Sequence, residues 1–108
     1  MKNFWARLRK EGRLTGDMRE AIEEAFGERG KKALRAVDEG MVKRYWDFFV
    51  VVGKSDEYVV EEDFCTCSDF VYRGRHCWHI LAVRIAEATG KYEQYPLWYQ
   101  DTWSNREI

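Results

Sequence analysis

The stretch that decides the fold is CTCSDFVYRGRHCWHILAVRIAEA, residues 65–88. Cys65 and Cys67 stand one residue apart, and after nine further residues comes Cys77-Trp78-His79. Three cysteines cannot all pair as disulfides, and positions two apart close too small a ring for an easy bridge. Thiolate and imidazole are what tetrahedral Zn²⁺ takes, and three sulfurs with one nitrogen make a closed structural set. Cys65, Cys67, Cys77 and His79 are therefore the expected ligands of one structural zinc ion. In extended backbone, residues i and i+2 point to the same side, so the first pair can face a single ion. In a helix the same spacing spans about 200°, so Cys77 belongs in the turn before a helix and His79 in its first turn.

Other uses of these residues compete less well. His76 is a second candidate nitrogen, three residues before His79 and able to share a helical face with it. Cys77 is favoured because a thiolate at a helix N-terminus is electrostatically well placed. Buried cysteines without metal are the bland alternative. The chain has no CxxC pair, and the H-x-E with P-C-x-x-C pattern of zinc deaminases is absent. Four protein ligands leave no position for a reacting water, so the chain is not expected to be an enzyme. Zn²⁺ with three thiolates carries a net charge of −1, and Arg73 and Arg75 are placed by sequence to offset it.

Outward from the cysteines, the periodicity changes twice. From Cys77 to Ala88, Trp78, Leu81, Ala82, Ile85 and Ala86 follow helical spacing, widened by Ile80 and Val83, and Gly90 ends the helix. Upstream, Met41 to Val52 is rich in β-branched and aromatic residues, Gly53-Lys54-Ser55-Asp56 is turn chemistry, and Tyr58-Val59-Val60 resumes. Residues 42–62 thus read as a β-hairpin, with a short third strand at Ser68 to Tyr72 and a tight loop at Arg73-Gly74-Arg75. Three helices are expected before it. Residues 3–11 carry Phe4, Trp5 and Leu8 and end near Gly12. Asp17 with Glu20 resembles a capping box opening a helix with Met18, Ile22, Ala25 and Phe26 inward, stopped by Gly27. Gly30 opens the next, with Ala33, Leu34 and Val37 inward and Gly40 closing it. The fold class is α+β, with residues 1–40 helical, 41–89 the zinc-bearing ββα unit and 90–108 an aromatic C-terminal extension. That extension holds Tyr92, Tyr95, Trp98, Tyr99 and Trp103, and core cover is its default role over a partner anchor or a base-stacking platform.

Bulk properties narrow the setting. The 108 residues, 45% hydrophobic and 34% charged with one proline, describe one globular domain whose modest core would gain from a metal staple. No apolar run approaches a membrane span, and Met1-Lys2-Asn3-Phe4-Trp5 lacks the features of a secretory signal, so a cytoplasmic or nucleoid protein is expected. Net charge is −1 and the isoelectric point about 6.1, which gives no global field for nucleic acid. Cations cluster locally at Lys2, Arg7, Arg9, Lys10 and Arg13, and again at Arg29, Lys31, Lys32 and Arg35. Should DNA be a ligand, the second cluster and the Arg73/Arg75 pair are the candidate phosphate contacts; solvated helix faces are the plain alternative.

The CxC…CxH spacing, continued by Ile80-Leu81-Ala82-Val83, resembles the SWIM-type zinc finger over residues 42–88. The resemblance implies a ββα layout and a module for binding DNA or protein. Such fingers occur in chromatin-remodelling ATPases, Mutator-type transposases, ubiquitin-ligase-associated proteins and small recombination mediators. With no ATPase or transposase region in 108 residues, the likeness to small stand-alone members implies a DNA-repair accessory beside a recombinase-paralogue partner. A protein-interaction adaptor with purely structural zinc is the second reading.

Overall fold

A computed structural model describes residues 2–53, 56–61, 64–67 and 77–99, with side chains from Trp5 onward. The fold is α+β: four helices and a five-stranded sheet among the described residues. Three helices come first, α1 (Lys2–Glu11), α2 (Gly16–Phe26) and α3 (Glu28–Asp38). Strands β1 (Val42–Arg44), β2 (Phe49–Val52), β3 (Glu57–Glu61) and β4 (Phe64–Cys65) follow, then α4 (Trp78–Thr89) and β5 (Glu93–Gln94). No helix is long and apolar enough to cross a membrane among these residues.

The helical segment departs from the sequence expectation in three details. The N-cap of α2 is Thr15, whose hydroxyl accepts from the Met18 amide at 3.3 Å, and Asp17 lies inside the first turn. The capping box at Asp17 and Glu20 is thus two residues late, because Thr15 keeps extended backbone and serves as the acceptor. Ala25 is exposed, whereas Met18 and Ile22 are buried. Helix α3 starts at Glu28, not Gly30. Gly27, at φ 61° and ψ −132°, both ends α2 and caps α3, a conformation open to glycine alone. Gly30 is buried inside α3, where the helix crosses α2.

The sheet runs β4-β3-β2-β1-β5, antiparallel except for the parallel β1–β5 pair. The expected first strand is really two. Met41 to Val52 folds back through Tyr45-Trp46-Asp47-Phe48, with the Tyr45 amide donating to the Phe48 carbonyl at 2.9 Å. This turn contains no glycine or proline, so its sequence reads as strand. The expected hairpin holds as the antiparallel pair β2–β3, while Lys54 and Ser55 of its turn lie outside the described residues. Strands β4 and β5 are two-residue edges with no sequence signature. The expected strand at Ser68 to Tyr72 and loop at Arg73-Gly74-Arg75 lie outside the described residues.

Helix α4 lies across β1 to β4 and packs on α1 and α3. Its buried residues Ile80, Leu81, Val83 and Ile85 meet Val42, Val51 and Val60 from one sheet face and Leu34 and Val37 from α3. On the other face Val50 is also fully buried. There the C-terminal segment wraps the sheet: Tyr95 donates its amide to Arg44, Trp46 donates to Leu97, and Tyr99 donates to Asp47 Oδ1 at 2.8 Å. The Tyr99 hydroxyl reaches Glu57 of β3 at 3.4 Å.

Candidate metal centre

Strand register brings the first ligand pair inward. Val60 pairs with Cys65 and with Phe49, which puts Cys65 on the face that also carries Val42 and Val51, beneath α4. Thr66 extends this pairing past the strand. Its amide donates to the Val59 carbonyl at 3.1 Å, and its hydroxyl accepts from the Val59 amide at 3.0 Å. The backbone therefore stays extended, Thr66 faces solvent, and Cys65 and Cys67 both turn into the core.

The second pair comes from the start of α4. Cys77 is its N-cap, at φ −85° and ψ 170°, and His79 lies in the first turn. This is the arrangement their spacing required. All four residues are buried, and their donor atoms lie within 4.8 Å of one another. The Tyr58 and Trp78 rings flank the imidazole of His79, with centroids 4.2 and 4.0 Å away. Neither wall was singled out from sequence. For Tyr58 the signal was available, since it shares the strand alternation that points Val60 and Cys65 inward.

The donor set fits a zinc ion. Nδ1 of His79 is buried with no hydrogen-bond partner among the described residues, a state that costs on the order of 1–3 kcal/mol unless something occupies the space before it. The thiols are in mutual conflict. Cys77 is drawn down to about 3, first by a hydrogen bond from Cys65, with His79 and the Ile80 amide assisting against burial. Cys65 is pushed up in return, first by that same hydrogen bond and then by desolvation. Three crowded sulfurs cannot all ionise without a cation, whereas a divalent metal stabilises every thiolate at once. Cys65, Cys67, Cys77 and His79 thus lie together as a zinc site.

The candidate phosphate contacts divide. Arg29, Lys31, Lys32 and Arg35 are all exposed on α3. Lys31 pairs with Glu28 at 3.6 Å and Arg35 with Glu39 at 3.7 Å, so part of their charge is matched. At 100° per residue Arg29 lies about 60° from Lys32 but about 160° from Lys31 and about 120° from Arg35, so the four do not share one face. Lys32 and Arg35 share a groove of about 270 Å³ with Met41 and Trp78, beside the zinc ligands. Arg73, Arg75 and His76 lie outside the described residues.

Comparison with known proteins agrees with this geometry. A family model described as the SWIM zinc finger matches residues 48–86, from the end of the β1–β2 turn into α4, with all four ligands inside. An uncharacterized protein of Archaeoglobus fulgidus is 52% identical over 80 residues, covering 71% of this chain and 70% of its own length. No solved structure matches the chain.

Proposed function

Because this chain belongs to the SWIM zinc finger family, we propose that it is a DNA-binding accessory module in recombination or repair, acting beside a recombinase-paralogue partner. The observation that carries the reading is the groove beside the zinc ligands, lined by Lys32 and Arg35 of α3, the single acid Glu39 and the half-buried indole of Trp78. Cations next to an aromatic ring suit a nucleic acid, since phosphates take the charge and a base can stack on the ring. The ion's part is structural: it ties β4 to the start of α4, and a shell filled by four protein ligands supports a non-enzymatic role. Such a protein would work inside the cell, in the cytoplasm or nucleoid.

A net charge of −1 favours weak binding by the isolated protein, on the order of 10⁻⁴ to 10⁻⁶ M, strengthened by a partner. The test titrates labelled single- and double-stranded DNA at about 50 mM salt. Wild type is compared with Lys32→Ala/Arg35→Ala and Arg73→Ala/Arg75→Ala. Binding that falls as salt rises supports the proposal. Its absence, with or without a recombinase-type partner, supports the second reading, a protein-interaction adaptor. One feature favours that reading: Trp46 and Trp98 meet edge to face at 5.6 Å while 57% and 44% exposed, and exposed Trp is a common interface anchor.

A further inference from the structure

A larger concavity lies on the other side of α4, away from the groove at Trp78. It is bounded by α1, α4, the end of β3 and the β1–β2 turn, and encloses about 640 Å³. Its aromatic lining is Trp5, Tyr45, Trp46, Phe48 and Phe49. Three arginines from three elements converge on it: Arg9 of α1, Arg44 of β1 and Arg84 of α4. Two of them are laid on rings, Arg84 over Trp5 at 5.8 Å and Arg44 over Phe49 at 5.3 Å. Stacking of this kind holds a guanidinium in a defined plane, and Arg44 also donates to the Tyr92 hydroxyl at 3.2 Å.

The lining also holds Asp47, Glu61 and Glu87, so the cleft as a whole is neutral. Its rim is not. The next surface along α1 is a depression formed by Arg7, Lys10, Arg13 and the single acid Glu11. Among the described residues none of Arg7, Arg9, Lys10 or Arg13 is in an ion pair, in contrast to Lys31 and Arg35 on α3. Cations without an ion pair among the described residues thus cluster along α1 and just beyond it, where Ala6 and Arg9 reach the cleft while Arg7 and Lys10 face outward.

We infer that the aromatic cleft and the cations along α1 form one binding site for single-stranded DNA, with an unpaired base in the cleft and its flanking phosphates on α1. This rests on the DNA-binding reading and names the form of DNA and the surface that takes it. The division of charge supports the pose. A cleft that is neutral, aromatic and lined with carboxylates suits an uncharged base, whose amino groups such carboxylates accept from, and disfavours a phosphate. The cationic strip beside it suits phosphates. A duplex keeps its bases stacked inside, so it offers nothing to the cleft; a single strand offers both parts at once.

The test uses the full zinc-loaded chain and a labelled single strand of mixed sequence, with the matching duplex as second ligand, titrated across a range of salt. Trp46→Ala, at a mostly exposed position, should keep the melting temperature and zinc content. It should weaken single-strand binding roughly tenfold, leave the salt slope unchanged, and barely alter duplex binding. Lys10→Ala/Arg13→Ala should lower the single-strand salt slope by roughly 0.7 for each phosphate that loses its cation. Wild type should prefer the single strand. The inference is overturned, with the DNA reading intact, in either of two cases: wild type prefers duplex, or both variants bind as wild type while Lys32→Ala/Arg35→Ala loses binding. No binding of either DNA form overturns both, and the cleft is then a surface for a peptide.

Discussion

Gly30 of α3 lies directly against the backbone of Ile22 in α2: a Cβ built on Gly30 would stand 2.6 Å from the Ile22 carbonyl oxygen. The two helices cross closely because this position has no side chain. An alanine here would gain up to about 1 kcal/mol of helix propensity. It would also meet a backbone atom that cannot rotate away, and the clash decides the sign. Gly30→Ala should therefore destabilise the protein by about 1–3 kcal/mol. At roughly 4–8 °C per kcal/mol for a domain near this size, calorimetry resolves the loss easily. A melting temperature equal to or above that of wild type would show that α2 and α3 separate freely.

Zinc should be inseparable from the fold. Structural zinc sites supply on the order of 10 kcal/mol, comparable with the whole stability of a small domain. Cys67→Ala and His79→Ala each leave the other three ligands buried around a deficient site. Both should lose the cooperative transition, and a strong chelator should unfold wild type. Metal analysis should return one zinc per folded chain, and cobalt substitution should give charge-transfer intensity for three thiolates. Intensity for only two would move the fourth ligand from Cys77 to His76.

The pair between Arg19 and Asp38 ties α2 to α3 through two hydrogen bonds of 2.9 and 2.6 Å. The Arg19 hydrogen bond holds the Asp38 carboxyl below its ordinary range, against a smaller opposing effect of burial. A carboxylate whose folded value is depressed stabilises the protein above its unfolded value, near 3.9, and loses that contribution as pH falls through the folded value. The pair is well solvated, so Asp38→Asn should cost no more than about 1 kcal/mol at neutral pH. The difference from wild type should shrink below roughly pH 4 and in high salt. A constant difference across an acid series would assign the cost to packing instead.

The C-terminal segment should behave as part of the core. Tyr99 is 4% exposed and Tyr92 packs edge to face on Phe49, whereas Leu97 and Trp98 face solvent. Truncation after Gly90 removes β5, the amides bound to Arg44 and Asp47, and the cover over Val50. It should lower the melting temperature by well over 10 °C, on the scale of several kcal/mol for a lost buried aromatic. Trp98→Ala should leave stability nearly unchanged. Equal melting of full-length and truncated protein would make the segment an anchor for a partner alone.

What the sequence determined by itself is the zinc site and the helix that follows it. Cys65 with Cys67, and Cys77 with His79, are two-residue spacings whose geometry follows from the backbone conformation of the same few residues. The broad apolar pattern of residues 80–86, broken only by Arg84, likewise announced a largely buried helix. Tertiary structure alone decided features that depend on partners distant in the chain. Lys43 meets Glu93 at 2.8 Å, across fifty residues, and this together with the pairing of Arg44 and Gln94 makes β5 an edge strand. The turn at Tyr45 to Phe48 is hidden in a strand-like run because it is held by the Tyr99 amide on Asp47 and by the Leu97 carbonyl, not by turn residues of its own. Gly30 reads as a helix start until α2 is laid against it. The acids of Lys31 and Arg35 stand three and four residues away and follow from helical spacing, whereas only the folded chain sets Arg9 beside an aromatic cleft. Local periodicity reports which face of an element is apolar, but it carries no information on what that face, or the charges around it, will meet.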